Sequence, residues 1–298
     1  MTTLLTKEPL TIQDIINRLA ENPKKTDFKN TEIMRYAYFN NKLAPTLEFE
    51  NVTFENATFT TDFLYKVYFN RCTFKKCRTT GSMPMPYGSY MRNNLPLEEV
   101  QVEEWGGTFE NCIFDNFKWE LHQPMKNFFR NCQIINNSDF SNMILIYGEI
   151  SGCQIKNSFF SPMLCFRQYG DVPEAISFLK NNIIINSDLS GIDLEDAEFN
   201  EFINCRIENV GIGEKIKNNV FSDICSCKLN SFDEESANLF INVSFEYSDF
   251  TVTDLSKSIF KNCDFTSPTN HFLNTKMPEV YKSEIRLTDD QLKHITFV

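Results

Sequence analysis

The chain of 298 residues has little of several residues that enzyme chemistry commonly requires. It contains three His, two Trp and ten Gly. The histidines, His122, His271 and His294, are far apart, and none lies at a metal-ligand spacing from Cys or Asp. Gly211 and Gly213 lack the rest of a dinucleotide fingerprint, and the sequence has no Walker loop, no GxSxG and no HExxH motif. We therefore expect no catalytic residues, no metal and no cofactor, in a protein that is not an enzyme.

Long hydrophobic runs are also missing. No segment approaches the ~18 consecutive apolar residues of a membrane span. The first residues, MTTLLTKEPLTIQD, lack the basic stretch, apolar core and cleavage site of a secretory signal peptide. Charged residues make up 23% and hydrophobic residues 42% of the chain, which is typical of a folded protein. We expect a cytoplasmic protein without a membrane span.

Cations are in the minority. The chain has 29 Lys and Arg against 40 Asp and Glu, for a net charge of -11. Binding to nucleic-acid phosphates requires clustered Lys and Arg, so this balance disfavours a direct nucleic-acid ligand. With so many carboxylates, chance acid–base pairs are inevitable, and no pair is singled out as catalytic. The expected partners are proteins.

One aromatic residue is abundant instead, because the chain contains 29 Phe. Many of them recur every five residues, a period that neither a helix nor an ordinary strand produces. The large apolar positions in this frame are Phe49, Phe54, Phe59, Leu64, Phe69 and Phe74; Phe109 and Phe114; Phe129 and Ile134; Phe140, Leu145, Ile150, Ile155 and Phe160; Ile184, Leu189, Leu194 and Phe199; Ile207; Leu229; and Phe245, Phe250, Leu255, Phe260 and Phe265. A weaker early block is Phe28, Ile33, Tyr38 and Leu43.

The position two before each large residue is small and is often cysteine. Seven of the ten cysteines share it: Cys72, Cys112, Cys132, Cys153, Cys205, Cys227 and Cys263. Free Cys is among the most buried residue types, so this pattern predicts buried thiols rather than disulfides or metal ligands. Asn often precedes the small residue, at 51, 56, 111, 131, 137, 157, 186, 204, 242 and 262. Asn tolerates turn conformations, so we expect it at the corners of a squared coil.

These units resemble the pentapeptide-repeat family, whose pattern is a small residue, Asp or Asn, Leu or Phe, and two variable residues. SDLSG at 187–191 and CDFTS at 263–267 match it. The resemblance covers about residues 26–267, with breaks. It implies an all-β fold, a right-handed parallel quadrilateral β-helix with four units in each turn.

The ends and breaks of the frame predict the remaining organisation. Residues 9–21 place Leu10, Ile12, Ile15, Ile16 and Leu19 on one face of a helix, so we expect residues 1–25 to form an N-terminal capping helix. Residues 268–298 are expected to form a C-terminal cap with a short helix. Solenoids need such caps because the end coils otherwise expose apolar side chains and strand edges.

Three interruptions, at about 78–107, 161–182 and 208–226, are expected to leave the coil as loops, where binding functions commonly concentrate. The first is rich in Pro, Met, Tyr and acidic residues. It can contact a partner or only cover the coil. Its candidate partner-binding residues are Tyr87, Tyr90, Met91, Glu103, Glu104 and Trp105.

The expected function is a non-enzymatic scaffold for protein–protein interaction, bacterial and effector-like or regulatory, with an unidentified protein partner. Some members of the family resemble DNA and bind and protect type II topoisomerases such as gyrase, and the acidic charge fits this alternative. Others are HECT-like effector ubiquitin ligases, whose repeats are similarly irregular and rich in Phe, Asn and Cys. Only about thirty residues follow the last repeat, so we expect no catalytic lobes. Delivery into a host cell and a homodimer through a terminal coil stay open.

Overall fold

The structure is a computed structural model. It describes residues 8–11, 27–29, 31–34, 47–60, 67–80, 106–121, 124–125, 127–146, 148–160, 164–166, 178–190, 197–210, 217–222, 224, 227–229 and 237–298.

Short strands make up nearly all of the regular structure. They are β1 (Glu8–Thr11), β2 (Asp27–Lys29), β3 (Thr31–Met34), β4 (Leu47–Glu50), β5 (Thr53–Glu55), β6 (Thr58–Thr60), β7 (Val67–Asn70), β8 (Thr73–Lys75), β9 (Arg78–Thr80), β10 (Gly107–Glu110), β11 (Ile113–Asp115), β12 (Pro124–Met125), β13 (Phe128–Arg130), β14 (Gln133–Ile135), β15 (Ile144–Ile146), β16 (Glu149–Ser151), β17 (Gln154–Lys156), β18 (Leu164–Phe166), β19 (Phe178–Lys180), β20 (Ile183–Ile185), β21 (Glu201–Ile203), β22 (Ile207–Val210), β23 (Lys217–Ser222), β24 (Cys227–Leu229), β25 (Ala237–Ile241), β26 (Ile259–Lys261), β27 (Thr275–Met277) and β28 (Ile295–Phe297). Two helices, α1 (Tyr281–Glu284) and α2 (Asp289–Leu292), lie near the C-terminus.

Every strand pairing within the described ranges is parallel, as in a solenoid whose successive coils stack. One turn runs through β10, β11, a single bridge at Lys118 and β12 before β13 begins the next turn. The four faces belong to separate sheets, of which the longest has the order β2-β5-β8-β11-β14-β17-β20-β21-β23-β25-β26. This 11-stranded sheet, the long sheet below, runs along the whole stack.

The core is a column of large side chains that point inward from the middle of each strand. In the long sheet, paired strands align Phe54 with Phe74 and Phe202 with Phe221. Their rings stack with centroids 5.3 and 4.8 Å apart, respectively. Because the next strand repeats the same inward position, each ring is covered on both faces, and these side chains are 0–2% exposed.

The corners of the coil are formed by residues with positive φ. All ten Asn that the sequence assigns to corners have φ between 49° and 62°. This left-handed conformation is costly for most residues but accessible to Asn. The prediction of corner asparagines is confirmed.

The strict five-residue frame fails in one stretch. Phe199, assigned to the core, is 48% exposed and has φ 56°, whereas Phe202 and Phe221 are fully buried. Successive aligned positions Ile184, Phe202 and Phe221 are 18 and 19 residues apart rather than 20. The shortened coils shift the frame, so Phe199 is the corner residue before buried Asn200.

The predicted interruptions are shorter than expected, because their ends continue the coil. β9 and the start of β10 lie within 78–107, β18 and β19 lie within 161–182, and β22 and β23 lie within 208–226. Backbone pairing with neighbouring coils keeps these segments in the stack. Pairing also continues past residue 267, where β27 pairs with β28.

At the N-terminus, Leu10 was placed on the predicted capping helix but lies in a strand. β1 pairs in parallel with β3, with Leu10 opposite Ile33, so its backbone joins a sheet instead. The rest of the predicted helix, residues 12–25, lies outside the described residues.

At the C-terminus the expected helical cap is confirmed. Thr288 and Gln291 form a reciprocal capping box at the start of α2. The Gln291 Nε2 donates to the Phe265 carbonyl at 2.8 Å, and the ring of Tyr281 packs edge-on against Phe260 with centroids 5.4 Å apart. The cap thereby covers the last coil's core and binds its free carbonyl groups.

Candidate functional site

Each strand of the long sheet shows two outward residues, one on either side of its inward residue. Successive coils align these residues into two outward columns. From β5 to β17 the columns are mostly polar or charged: Thr53 and Glu55, Thr73 and Lys75, Ile113 and Asp115, Gln133 and Ile135, Gln154 and Lys156.

From β20 onwards the same columns become apolar. The members of this surface, the apolar outer face below, are Ile183, Ile185, Ile203, Val220, Leu239, Ile241 and Ile259. Ile183 and Ile259, at its two ends, are 37% and 49% exposed, and the other members are half-buried. A contiguous group of large aliphatic side chains on a soluble surface is a mark of an interaction site.

The apolar outer face is a narrow stripe. It crosses five adjacent strands, β20, β21, β23, β25 and β26, so at ~4.8 Å per strand it is about 19 Å long. Its two columns are two residues apart along each strand, or about 7 Å. One long side is bordered by exposed corner asparagines, where the Asn204 Nδ2 donates to the Asn186 Oδ1 at 2.8 Å.

Three charged side chains belong to this stripe. Glu201 lies within it, between Ile183 and Val220 in one column. Lys156 and Lys261 stand at the two ends of the other column. Within the described part of the chain none of the three has an ion pair, and Glu201 is exposed.

Charges elsewhere on the described surface are commonly paired between coils. Arg130 lies 3.4 Å from Glu110 and 3.5 Å from Glu149, and Lys180 lies 3.6 Å from Glu198. Such ladders neutralise neighbouring carboxylates locally. The unpaired charges of the apolar outer face therefore differ from the charges on neighbouring faces.

Beneath the apolar outer face, the small inward position is occupied by asparagine. Asn182, Asn200, Asn219 and Asn238, the asparagine ladder below, are 0–3% exposed. Each Nδ2 donates to the Oδ1 of the next member, at 2.9, 3.0 and 3.2 Å along the stack. The Oδ1 atoms also accept backbone N–H groups of the preceding coil. This network holds the coils beneath the face in register.

The cysteines are buried in the same column of the earlier coils and are not poised for chemistry. The Sγ of Cys132 donates to the Phe109 carbonyl at 3.3 Å. Burial raises the pKa of the Cys205 thiol to about 11 and also raises the pKa of Cys132. Because the thiolate is the nucleophile, protonated thiols of this kind are inert.

The candidate partner-binding residues of the first interruption, Tyr87, Tyr90, Met91, Glu103, Glu104 and Trp105, all lie outside the described residues. The sequence reasoning missed the apolar outer face. The run of three isoleucines at 183–185 carried the signal, because its outer two members must point away from the core if Ile184 points inward.

No group of three or more His, Cys, Asp and Glu side chains that could hold a metal ion occurs among the residues that the structure describes. In the same part of the chain, no helix is long and apolar enough to cross a membrane.

The five-residue frame, the four-faced coil and the paired inward columns define a pentapeptide-repeat β-solenoid. No model of a known protein family matches the sequence, and no curated protein matches it either.

Among solved structures, the chain is similar to HetL, a pentapeptide repeat protein involved in heterocyst differentiation regulation from the cyanobacterium Nostoc. The identity is 11% over 91% of this chain and 98% of HetL, with a TM-score of 0.29. It is also similar to QnrB1, a plasmid-mediated fluoroquinolone resistance protein. For trypsin-treated QnrB1 the identity is 13%, over 89% of this chain and 91% of that chain, with a TM-score of 0.32. For full-length QnrB1 it is 14%, over 90% and 93%, with a TM-score of 0.21. The fold assignment rests on the strand register and the buried columns of the chain itself.

Proposed function

We propose that the chain is a non-enzymatic scaffold that docks a protein partner on the apolar outer face. The observation that supports the proposal is the contiguous stripe of seven aliphatic side chains above a hydrogen-bonded asparagine ladder. The stripe supplies apolar area, and the ladder fixes its shape before a partner arrives. A preorganised surface loses little conformational entropy on binding.

The experiment compares two double-lysine variants at equivalent outward positions. Val220→Lys with Leu239→Lys places charges in the middle of the apolar outer face. Thr73→Lys with Gln133→Lys places them in the same column of the polar half. Both variants should fold, because outward Lys side chains keep their ammonium groups in water.

Each protein is used to capture partners from the cells that produce it, and the partners are quantified by mass spectrometry. We expect the apolar-face variant to lose partners that the wild type and the polar-half variant both retain. Equal capture by all three proteins contradicts docking on this face.

The interruption at 78–107 is a second proposed docking element, on the composition of its residues. A chain lacking residues 82–105 tests it in the same capture experiment. Partners that are lost with this deletion but retained by the apolar-face variant assign docking to the interruption instead.

An alternative proposal is a DNA mimic that binds and protects a type II topoisomerase, and the net charge of -11 favours it. A gyrase supercoiling assay with and without a quinolone tests it directly. A protein that changes neither the activity nor the poisoning is not such a mimic. The interstrand pairing of Glu110, Glu149 and Glu198 with cations weakens this alternative, because paired carboxylates make a poor phosphate array.

A further inference from the structure

We infer that the occupant of the apolar outer face is an amphipathic α-helix of the partner, which runs along the stack and places one Lys or Arg against Glu201. This inference rests on the proposed function and names the kind of partner that the face accepts. Three features carry it: the way the face is exposed, its dimensions and its charge.

The face can be contacted only through side chains. Strand addition requires a free sheet edge with unpaired N–H and C=O groups. The members of the apolar outer face lie on strands whose backbones pair with the coils before and after, from β17 to β26. A peptide strand therefore has no backbone partner here, and the occupant must pack on the face.

The dimensions fit one helix. The columns are about 7 Å apart, and an α-helix with its side chains is about 10 Å across, so a single helix covers both columns. At ~1.5 Å rise per residue, the ~19 Å stripe matches about 13 residues, or between three and four turns. A broader partner would extend over the exposed corner asparagines, such as Asn186 and Asn204, which pair with each other.

The charge of Glu201 requires a cation in the occupant. Glu201 has Ile183 and Val220 as column neighbours and Ile203 across its own strand. An apolar helix laid over this position removes water from the carboxylate, and a desolvated carboxylate without a partner is strongly unfavourable. A Lys or Arg within the apolar stripe of the helix resolves this conflict.

A second copy of the chain supplies no such cation. A twofold axis along the strands sets Glu201 opposite a residue of its own column, and an axis along the stack sets it opposite Ile203. That column carries Gln154, Ile183, Val220, Leu239 and Ile259 around Glu201, none of them basic. Each copy also carries a charge of -11, so two copies repel each other.

The test uses a displayed library of helical 18-residue peptides in which the positions of one face are randomised. The library is selected in parallel on three proteins: the wild type, Glu201→Lys, and the variant with Val220→Lys and Leu239→Lys. We expect the wild type to select apolar stripes with one central Lys or Arg. Glu201→Lys should select Asp or Glu at that position, and the double-lysine variant should select none of these peptides.

Synthetic versions of the selected peptides then quantify the pair. A peptide with the central Lys should bind the wild type about tenfold more tightly than its Gln counterpart, the size of effect seen for close interfacial charge pairs. The preference should disappear with Glu201→Gln, whose side chain has nearly the same size.

Two results overturn the inference and leave the proposed function standing. One is selection of helices without a basic residue, or of the same helices by the wild type and Glu201→Lys. The other is a wild-type dimer in sedimentation that the double-lysine variant abolishes, since the occupant is then a second copy. Failure to select any helix that depends on the face also overturns the inference, whereas the proposed function fails only if partner capture is insensitive to the face.

Discussion

The two halves of the long sheet share one core but differ both inside and outside it. From β8 to β17 the small inward position is Cys, as in Cys72 and Cys153, and the outer face is polar. From β20 to β25 the inward position is Asn, as in Asn182 and Asn238, and the outer face is apolar. Both changes occur between β17 and β20.

The difference shows that the large column specifies the fold while the small column maintains register. Coils of the cysteine half are 20 or 21 residues apart at adjoining aligned positions, as from Phe114 to Ile134 and from Ile134 to Ile155. Coils of the asparagine half are 18 or 19 apart, and β23 contains a register shift between Lys217 and Val220. A thiol makes only weak hydrogen bonds, whereas each amide bonds the coils on both sides. The stronger network lies where coil length is irregular.

The largest expected effect sharpens what the halves share. Phe221→Ala should lower the free energy of unfolding by about 3–5 kcal/mol, because it leaves a cavity between Phe202 and Phe240. Phe54→Ala, in the cysteine half, should cost about as much. Denaturant titrations followed by circular dichroism measure both, and a cost confined to one half contradicts a common core column.

A second pair of substitutions sharpens what differs. Asn200→Ala removes the acceptor of the Asn182 Nδ2 and N–H groups and the donor to the Leu179 carbonyl. Leaving such buried groups without partners should cost about 2–4 kcal/mol. Cys132→Ala removes one sulfur and its weak bond and should cost only about 1 kcal/mol. The same titrations compare them, and equal costs argue against the register role of the ladder.

The smallest effect concerns the polar outside. Arg130→Ala removes two ion pairs, with Glu110 and Glu149, but the Arg130 side chain is 40% exposed. Exposed pairs contribute little, so the loss should stay below about 1 kcal/mol and shrink further in high salt. Stability measured at low and at high salt checks this, and a large loss that salt does not reduce contradicts a solvent-screened pair.

The sequence predicts the coil because its signals are local and repeated. A corner such as Asn131 requires a residue that tolerates positive φ, and an inward position such as Cys132 requires a small one, so both can be recognised in a single unit. Coil length is not local. Phe199 and Phe202 exchanged roles because the number of residues in a turn is settled only by pairing with the neighbouring coils.

The candidate site was harder to predict for the same reason. Val220 and Leu239 are 19 residues apart in sequence and become neighbours only when their coils align. A single unit shows one or two outward aliphatic residues, which is normal for a protein surface. The stripe emerges from the register, so the sequence reasoning favoured the Pro- and Tyr-rich interruption at 78–107 instead.

The central claim is that a partner lies directly on the apolar outer face. A photo-crosslinking amino acid in place of Val220, with the same residue in place of Thr73 as the control, tests it most directly in the producing cells. We predict one discrete adduct from position 220 and none from position 73. Adducts of equal yield at both positions, or an adduct at position 73 alone, contradict the account.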